Sequence, residues 1–144
     1  MKKNKTNKGF TIIELMAVIV IIGLLAAMVA RNFMGQTDKA RVVTTKASLK
    51  VLDSSIQQFK MDTGIFPTEE EGLKALIEKP VDVLNYPEGG YLQTKQVPKD
   101  AWGHEFVYIL SPESGAPFEI KSYGADGQEG GEGNNADLKS TDAE

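Results

Sequence analysis

Two stretches of this 144-residue sequence hold side chains whose types and spacing could do chemistry. In the first, GFTIIELM, Glu14 is the sole charged residue between positions 10 and 30. A carboxylate carried into a membrane costs on the order of 3 kcal/mol and calls for a partner. A cut between Gly9 and Phe10 would create an α-amino group on the helical face that Glu14 shares. Amine and carboxylate could then pair within one chain, or between two copies staggered along a common axis, where low dielectric strengthens the attraction. The competing reading has Glu14 reaching the headgroups and favouring the positive end of the helix. The second stretch, SYGADGQEGGEGNNAD at positions 122–137, has five glycines and seven oxygen-bearing side chains from Asp126 to Asp137. Hard oxygen donors without His or Cys suit calcium better than zinc. The spacing is not that of an EF-hand, and the partial likeness to one calcium-binding nonapeptide has no second copy to stack on. Composition leaves a flexible acidic tail and a metal loop both open.

Other chemistry lacks its parts. The sequence has one histidine, His104, no cysteine and no Gly-x-Ser-x-Gly, so neither a nucleophilic triad nor a zinc site can be assembled. His104 reads as a surface or strand residue and Trp102 as a packing anchor. Glu69, Glu70 and Glu71 read as a match to a helix start. The expectation is a protein that is not an enzyme.

The elements that must position these groups follow from charge and periodicity. Net charge is −4, and Lys2, Lys3, Lys5 and Lys8 precede the apolar run without any acid, so the remainder stands at −8. An acidic domain of this kind offers no face for nucleic acid. Residues 10–30 approach the ~20 needed to cross a bilayer, with the lysines marking the cytoplasmic side. The run is longer than the roughly 7 to 15 apolar residues of a cleavable signal peptide. From 36 to 63 no Gly or Pro occurs, and Ala40, Val43, Ala47, Val51, Leu52, Ile56 and Phe59 recur at helical steps, predicting an amphipathic helix. Joined to the apolar run across Gly35, it gives one helix of about 54 residues. Thr68 and Glu71 have capping-box spacing ahead of a short helix through Leu73, Leu76 and Ile77. Strands are expected at 91–93, 104–111 and 118–123, with a turn at 111–115. This is an α+β arrangement, a long N-terminal helix packed on a small antiparallel sheet.

The stretch from Lys8 to Met16 resembles the class III signal of type IV pilins and type II secretion pseudopilins. In that family a prepilin peptidase cuts after the glycine and N-methylates the phenylalanine. The resemblance therefore implies processing at Gly9 and Phe10, a basic leader at 1–9, a transmembrane and assembly helix at 10–35, and a globular domain at 36–144. It also implies that Glu14 neutralises the N-terminal amine of a neighbouring subunit. Further blocks, FPTE at 66–69, GLKAL at 72–76, GGYL at 89–92, VPKDAWG at 97–103 and GADG at 124–127, resemble the major pseudopilins of type II secretion systems.

That resemblance implies a type IV pilin-like fold with a C-terminal calcium loop near 122–138, in the place where fibre-forming pilins commonly have a disulfide. The ligands it implies are the main-chain carbonyl of Tyr123 and the side chains of Asp126 and Asp137, with Asn135 as a further candidate and Ca2+ as the cofactor. The function implied is a structural subunit of the pseudopilus, polymerising from the inner membrane to help export folded proteins across the outer membrane. Its partners would be further copies of itself, minor pseudopilins, the inner-membrane assembly platform and the prepilin peptidase. Its location would be single-pass in the bacterial inner membrane with the C-terminal domain in the periplasm. A type IV pilus pilin, or a secreted calcium-binding module behind a conventional signal peptide, are the alternatives. The chain departs from the family pattern in three places. Arg31 stands where a proline is frequent, which predicts a helix less easily melted near the membrane exit. Ala101 replaces a frequent proline before Trp102, and after Asp137 the usual Ile-Gly-Asn-Trp run gives way to LKSTDAE.

Overall fold

The structure, a computed structural model, describes residues 9–142, with the side chains of residues 30–35 outside that description. The leader lysines and the side chain of Arg31 therefore lie outside the described residues. The chain divides into two compact units, Met1–Thr37 and Asp38–Glu144. One helix, α1, runs from Ile12 to Thr63, its 52 residues passing through Gly35. Its start is a capping box: Thr11 donates its backbone N–H and its hydroxyl to the Glu14 carboxylate, both at 2.9 Å, and accepts the Glu14 N–H at 3.3 Å. The span Ile12–Val29 has a mean hydropathy of 2.9, and none of it is buried. It is long and apolar enough to cross a membrane.

In the second unit, α1 buries Thr45, Leu49, Leu52, Ile56 and Phe59. The 4-3-4-3 spacing keeps them on one face. Ala40, Val43, Ala47 and Val51, expected on that same face, are exposed. At about 100° per residue these four fall roughly 150° away from the buried stripe. The apolar pattern merges two stripes into one, because Thr45 counts as polar in it although its hydroxyl accepts the Ala101 N–H at 3.1 Å and is buried. Gly64 ends the helix with φ 82°, its N–H bonded to the Lys60 carbonyl at 2.9 Å.

The Thr68–Glu71 capping box forms, with bonds of 2.9 and 3.3 Å, but it opens a 3-10 helix, Gly72–Leu76, which inserts Leu73, Ala75 and Leu76 into the core. Three antiparallel strands come next, in spatial order β1-β2-β3: Val107–Leu110, Phe118–Ser122 and Leu138–Lys139. β1 and β2 form a hairpin pairing Val107 with Lys121 and Leu110 with Phe118. Both expected strands in this region are therefore shorter than predicted, and His104 precedes β1 instead of lying within it. Residues 91–93 form no strand: the Tyr91 N–H is taken by the Leu76 carbonyl at 2.7 Å, and its ring packs edge-on against Phe59 and Tyr86. The third strand comes from the chain end, where Lys139 pairs with Lys121 and Leu138 with Ser122. Phe106, Phe118 and Ile120 complete the core over Leu49, Leu52, Ile56 and Phe59.

Candidate functional site: the C-terminal loop and its anchor

β2 delivers the chain into the glycine-rich stretch, and β3 receives it on the other side. The two ends are drawn together by the Ala125 N–H donating to the Asn134 carbonyl at 2.9 Å. Gly124, at φ 64°, lies so close to the returning strand that a Cβ there would meet the carbonyl carbon of Asn135 at 2.8 Å and the Ala136 oxygen at 2.9 Å. Only a glycine satisfies both the positive φ and the close approach.

Each of the expected ligands lies on this loop. Asp126 is exposed and uses one carboxylate oxygen, Oδ1, to accept the Gln128 N–H at 3.1 Å. Asp137 is half-buried and uses Oδ1 to accept the Gly130 N–H at 3.0 Å. The structure thus ties Asp137 back across seven residues, while Tyr123 and Asn135 flank the Ala125–Asn134 bond that closes the neck of the loop. Among the described residues, no group of three or more His, Asp or Glu side chains gathers as metal ligands. A cation here would draw on two carboxylates, an amide and main-chain carbonyls. That donor set is all hard oxygen and fits calcium, and nothing in it suits a softer metal.

The neck rests on an anchor that the sequence did not reveal. Asp100 is buried, and its Oδ1 accepts the N–H groups of Trp102 and His104 at 3.0 and 2.8 Å. Its Oδ2 accepts the Ser122 hydroxyl at 2.7 Å, and the Ser122 oxygen in turn accepts the Gly124 N–H at 3.3 Å. His104 Nδ1 lies 3.0 Å from the Gly124 carbonyl; a carbonyl can only accept, so Nδ1 carries the hydrogen. A Cβ on Gly127 would touch the same ring at 3.2 Å. The histidine that reads as a bland surface residue therefore braces the loop, and Thr45 joins the anchor to α1 through Ala101. The sequence signal available was only an acid next to Ala-Trp-Gly, a pattern that also fits an ordinary turn.

The far end is held by the residues that follow β3. The Ile120 N–H donates to Ser140 Oγ at 3.1 Å, and Thr141 Oγ1 donates to Glu119 at 3.3 Å. Glu119, buried on β2, lies 3.5 Å from Lys121 and 3.8 Å from Lys139, and Lys121 also reaches Glu129 of the loop at 3.8 Å. A buried carboxylate that lost these cations would be left uncompensated.

Residues 32–141 match the family described as type II secretion system (T2SS), protein G. This chain belongs to that family. Residues 4–30, ahead of the protein G match, fit the prokaryotic N-terminal methylation motif. The chain is 41% identical to the type II secretion system core protein G of Vibrio cholerae over 140 residues, covering 96% of this chain and 94% of the relative. It is 38% identical to the core protein G of Pseudomonas aeruginosa over 143 residues, 97% and 99% of the two chains. Among solved structures it is similar to the major pseudopilin from the type 2 secretion system of enterohaemorrhagic Escherichia coli, with a TM-score of 0.63 and 31% identity over 75% of this chain and 92% of that one. Protein G membership accounts for the arrangement of a long helix ahead of a small three-stranded sheet.

Proposed function

We infer that this chain is a structural subunit of a type II secretion pseudopilus, not an enzyme. The observation that carries the reading is the order of the two family matches, a methylation motif over the exposed apolar part of α1 followed by protein G over the rest. An apolar helix of this length needs lipid or other copies of itself, and a subunit that leaves the membrane to polymerise uses both in turn.

The finer steps rest on particular residues. Cleavage between Gly9 and Phe10 by a prepilin peptidase, with methylation of Phe10, leaves Glu14 on the face of the new amine. Glu14 then neutralises the amine of the neighbouring copy as it enters the filament. The basic leader keeps the N-terminus cytoplasmic, so the domain from residue 36 onward is periplasmic. Assembly joins further copies of the chain, minor pseudopilins and an inner-membrane platform.

Calcium closes the loop at 122–138. The Asp126 and Asp137 side chains and the Tyr123 carbonyl hold it, with Asn135 available beside them. When bound, the ion supplies a charge that offsets Asp126, Glu129, Glu132 and Asp137 and a fixed point for a glycine-rich backbone that is costly to order. Supporting this are the all-oxygen donor set and the closure of the neck by Gly124 and Ala125. The test is a thermal melt of the full chain in detergent with chelator, calcium or magnesium. Calcium at a hundredfold excess over its dissociation constant stabilises by about 2.7 kcal/mol, seen as a raised Tm. Magnesium raises it less, because it holds its waters. A Tm indifferent to calcium removes the ion and leaves the subunit reading standing; intact mass of the mature chain, starting or not at a methylated Phe10, tests the processing separately.

A further inference from the structure

The exposed stripe on α1 has no partner within the second unit. Ala40, Val43, Ala47 and Val51 share an arc of about 80° and about 17 Å of helix. Val43 is 67% exposed and Val51 57%. Lys39, Lys46 and Lys50 line one edge of the stripe, and no acid occurs from position 39 to 50. None of these lysines makes an ion pair among the described residues. The rest of the unit is opposite in sign: from 64 to 144 there are sixteen acidic and six basic side chains.

Part of that acidity is gathered at a cleft of about 320 Å³, lined by Glu69, Glu70, Glu71 and Glu105 together with Val97, Pro98 and Phe106. Lys74 and Lys99 also line it, leaving the cleft at −2. Its negative character is felt by Tyr108, whose hydroxyl is pushed up to about 12 by burial first and then by Glu69 and Glu71. The two surfaces match in both respects, apolar stripe to the apolar side chains lining the cleft and lysine edge to its glutamates.

We propose that the Ala40, Val43, Ala47 and Val51 face of α1 in one copy docks against the Glu69, Glu70 and Glu105 cleft of a second copy. Stripe against stripe would bring lysines together, and like charges in apposition oppose that pairing. A contact between two different patches is heterologous, so each copy that docks offers its own cleft to the next, and the contact propagates as a filament where it does not close. The inference rests on the subunit reading and specifies which surfaces meet.

The absence of native cysteine makes engineered thiols unambiguous. Full-length Val43→Cys and an affinity-tagged Glu70→Cys are produced together, and sheared filaments are oxidised. A disulfide-linked dimer of one tagged and one untagged chain is expected, absent from either variant alone. Adding Lys46→Glu and Lys50→Glu to the Val43→Cys chain causes loss of the linked dimer, and Glu69→Lys with Glu105→Lys in the tagged chain restores it. All these positions are exposed, so the core is untouched. Lys50→Cys with Glu105→Cys is a second pair, read in the same way if the first impairs filament formation. Filaments visible by electron microscopy without the mixed dimer from either pair overturn the inference and leave the subunit reading intact. A dimer from Val43→Cys alone overturns it in favour of stripe-on-stripe pairing.

Discussion

Glu14 and Asp100 are carboxylates with opposite legibility. Glu14 stands out because a charge in an apolar run is costly, and the structure adds that it caps α1 through Thr11. Its alanine variant would therefore confuse loss of the cap with loss of the charge. Glutamine keeps an acceptor suited to a capping box and removes the charge. Glu14→Gln should enter the membrane with unchanged helix content, at a cap cost below about 1 kcal/mol, yet yield no filaments. Sheared-filament yield against membrane-bound protein checks this, and full yield would leave Glu14 as a cap alone. Asp100 has three donors converging on a buried carboxylate. Asp100→Ala leaves those donors unpaired and should destabilise the second unit by about 3 kcal/mol in urea unfolding followed by tyrosine fluorescence.

At the scale of elements, the loop between β2 and β3 depends on backbone positions that allow no side chain. Gly124→Ala places a Cβ against Asn135 and Ala136 and forces a positive φ on a residue that resists it. A loss of about 2 kcal/mol or more is expected, together with a weakening of the proposed Tm response to calcium. Gly115→Ala, also at positive φ but with open space around it, should leave the calcium response unchanged. The melting series in chelator and calcium distinguishes the two. β3 is the shortest strand, yet it closes the loop, with Ser140 and Thr141 fastening it to β2. Residues 138–142, LKSTD, thus supply the fastening that follows Asp137.

For the whole molecule, alkaline stability reports on packing around the aromatic groups. Tyr91 is pushed up to about 12 by burial and then by the charge of Asp62, and Tyr108 to about 12 by burial and then by Glu69 and Glu71. Each keeps its proton in the folded state at a pH where the unfolded chain has lost it. The unfolded state binds fewer protons, so stability falls as pH rises, from about 10 to about 12. Tyr108 also donates to the Pro67 carbonyl at 3.0 Å, a bond that ionisation removes. Urea midpoints measured across this window should decline. Tyr108→Phe should flatten the decline, and an unchanged slope would show that Tyr108 is not one of the groups responsible.

The sequence alone determined what local patterns can encode. The long α1, the Thr68–Glu71 capping box, the β1–β2 hairpin and the family were all legible, because periodicity, cap spacing and turn residues act over a few neighbouring positions. The same locality explains the errors. Two apolar stripes on α1 merge into one because a run of helical steps does not say which face meets the sheet; the burial of Thr45 decided that. Tyr91 alternates like a strand residue, but its N–H is committed to Leu76, and Leu138–Lys139 became the third strand because β2 had a free edge where the chain returned. Asp100, Ser122 and His104 lie up to 22 positions apart, and only tertiary packing brings them within hydrogen-bond reach of one another and of the loop. Hydrogen bonds between distant positions leave no periodic trace in a sequence, so the loop's glycines and oxygen-bearing side chains were visible while the anchor that holds its neck was decided by the fold.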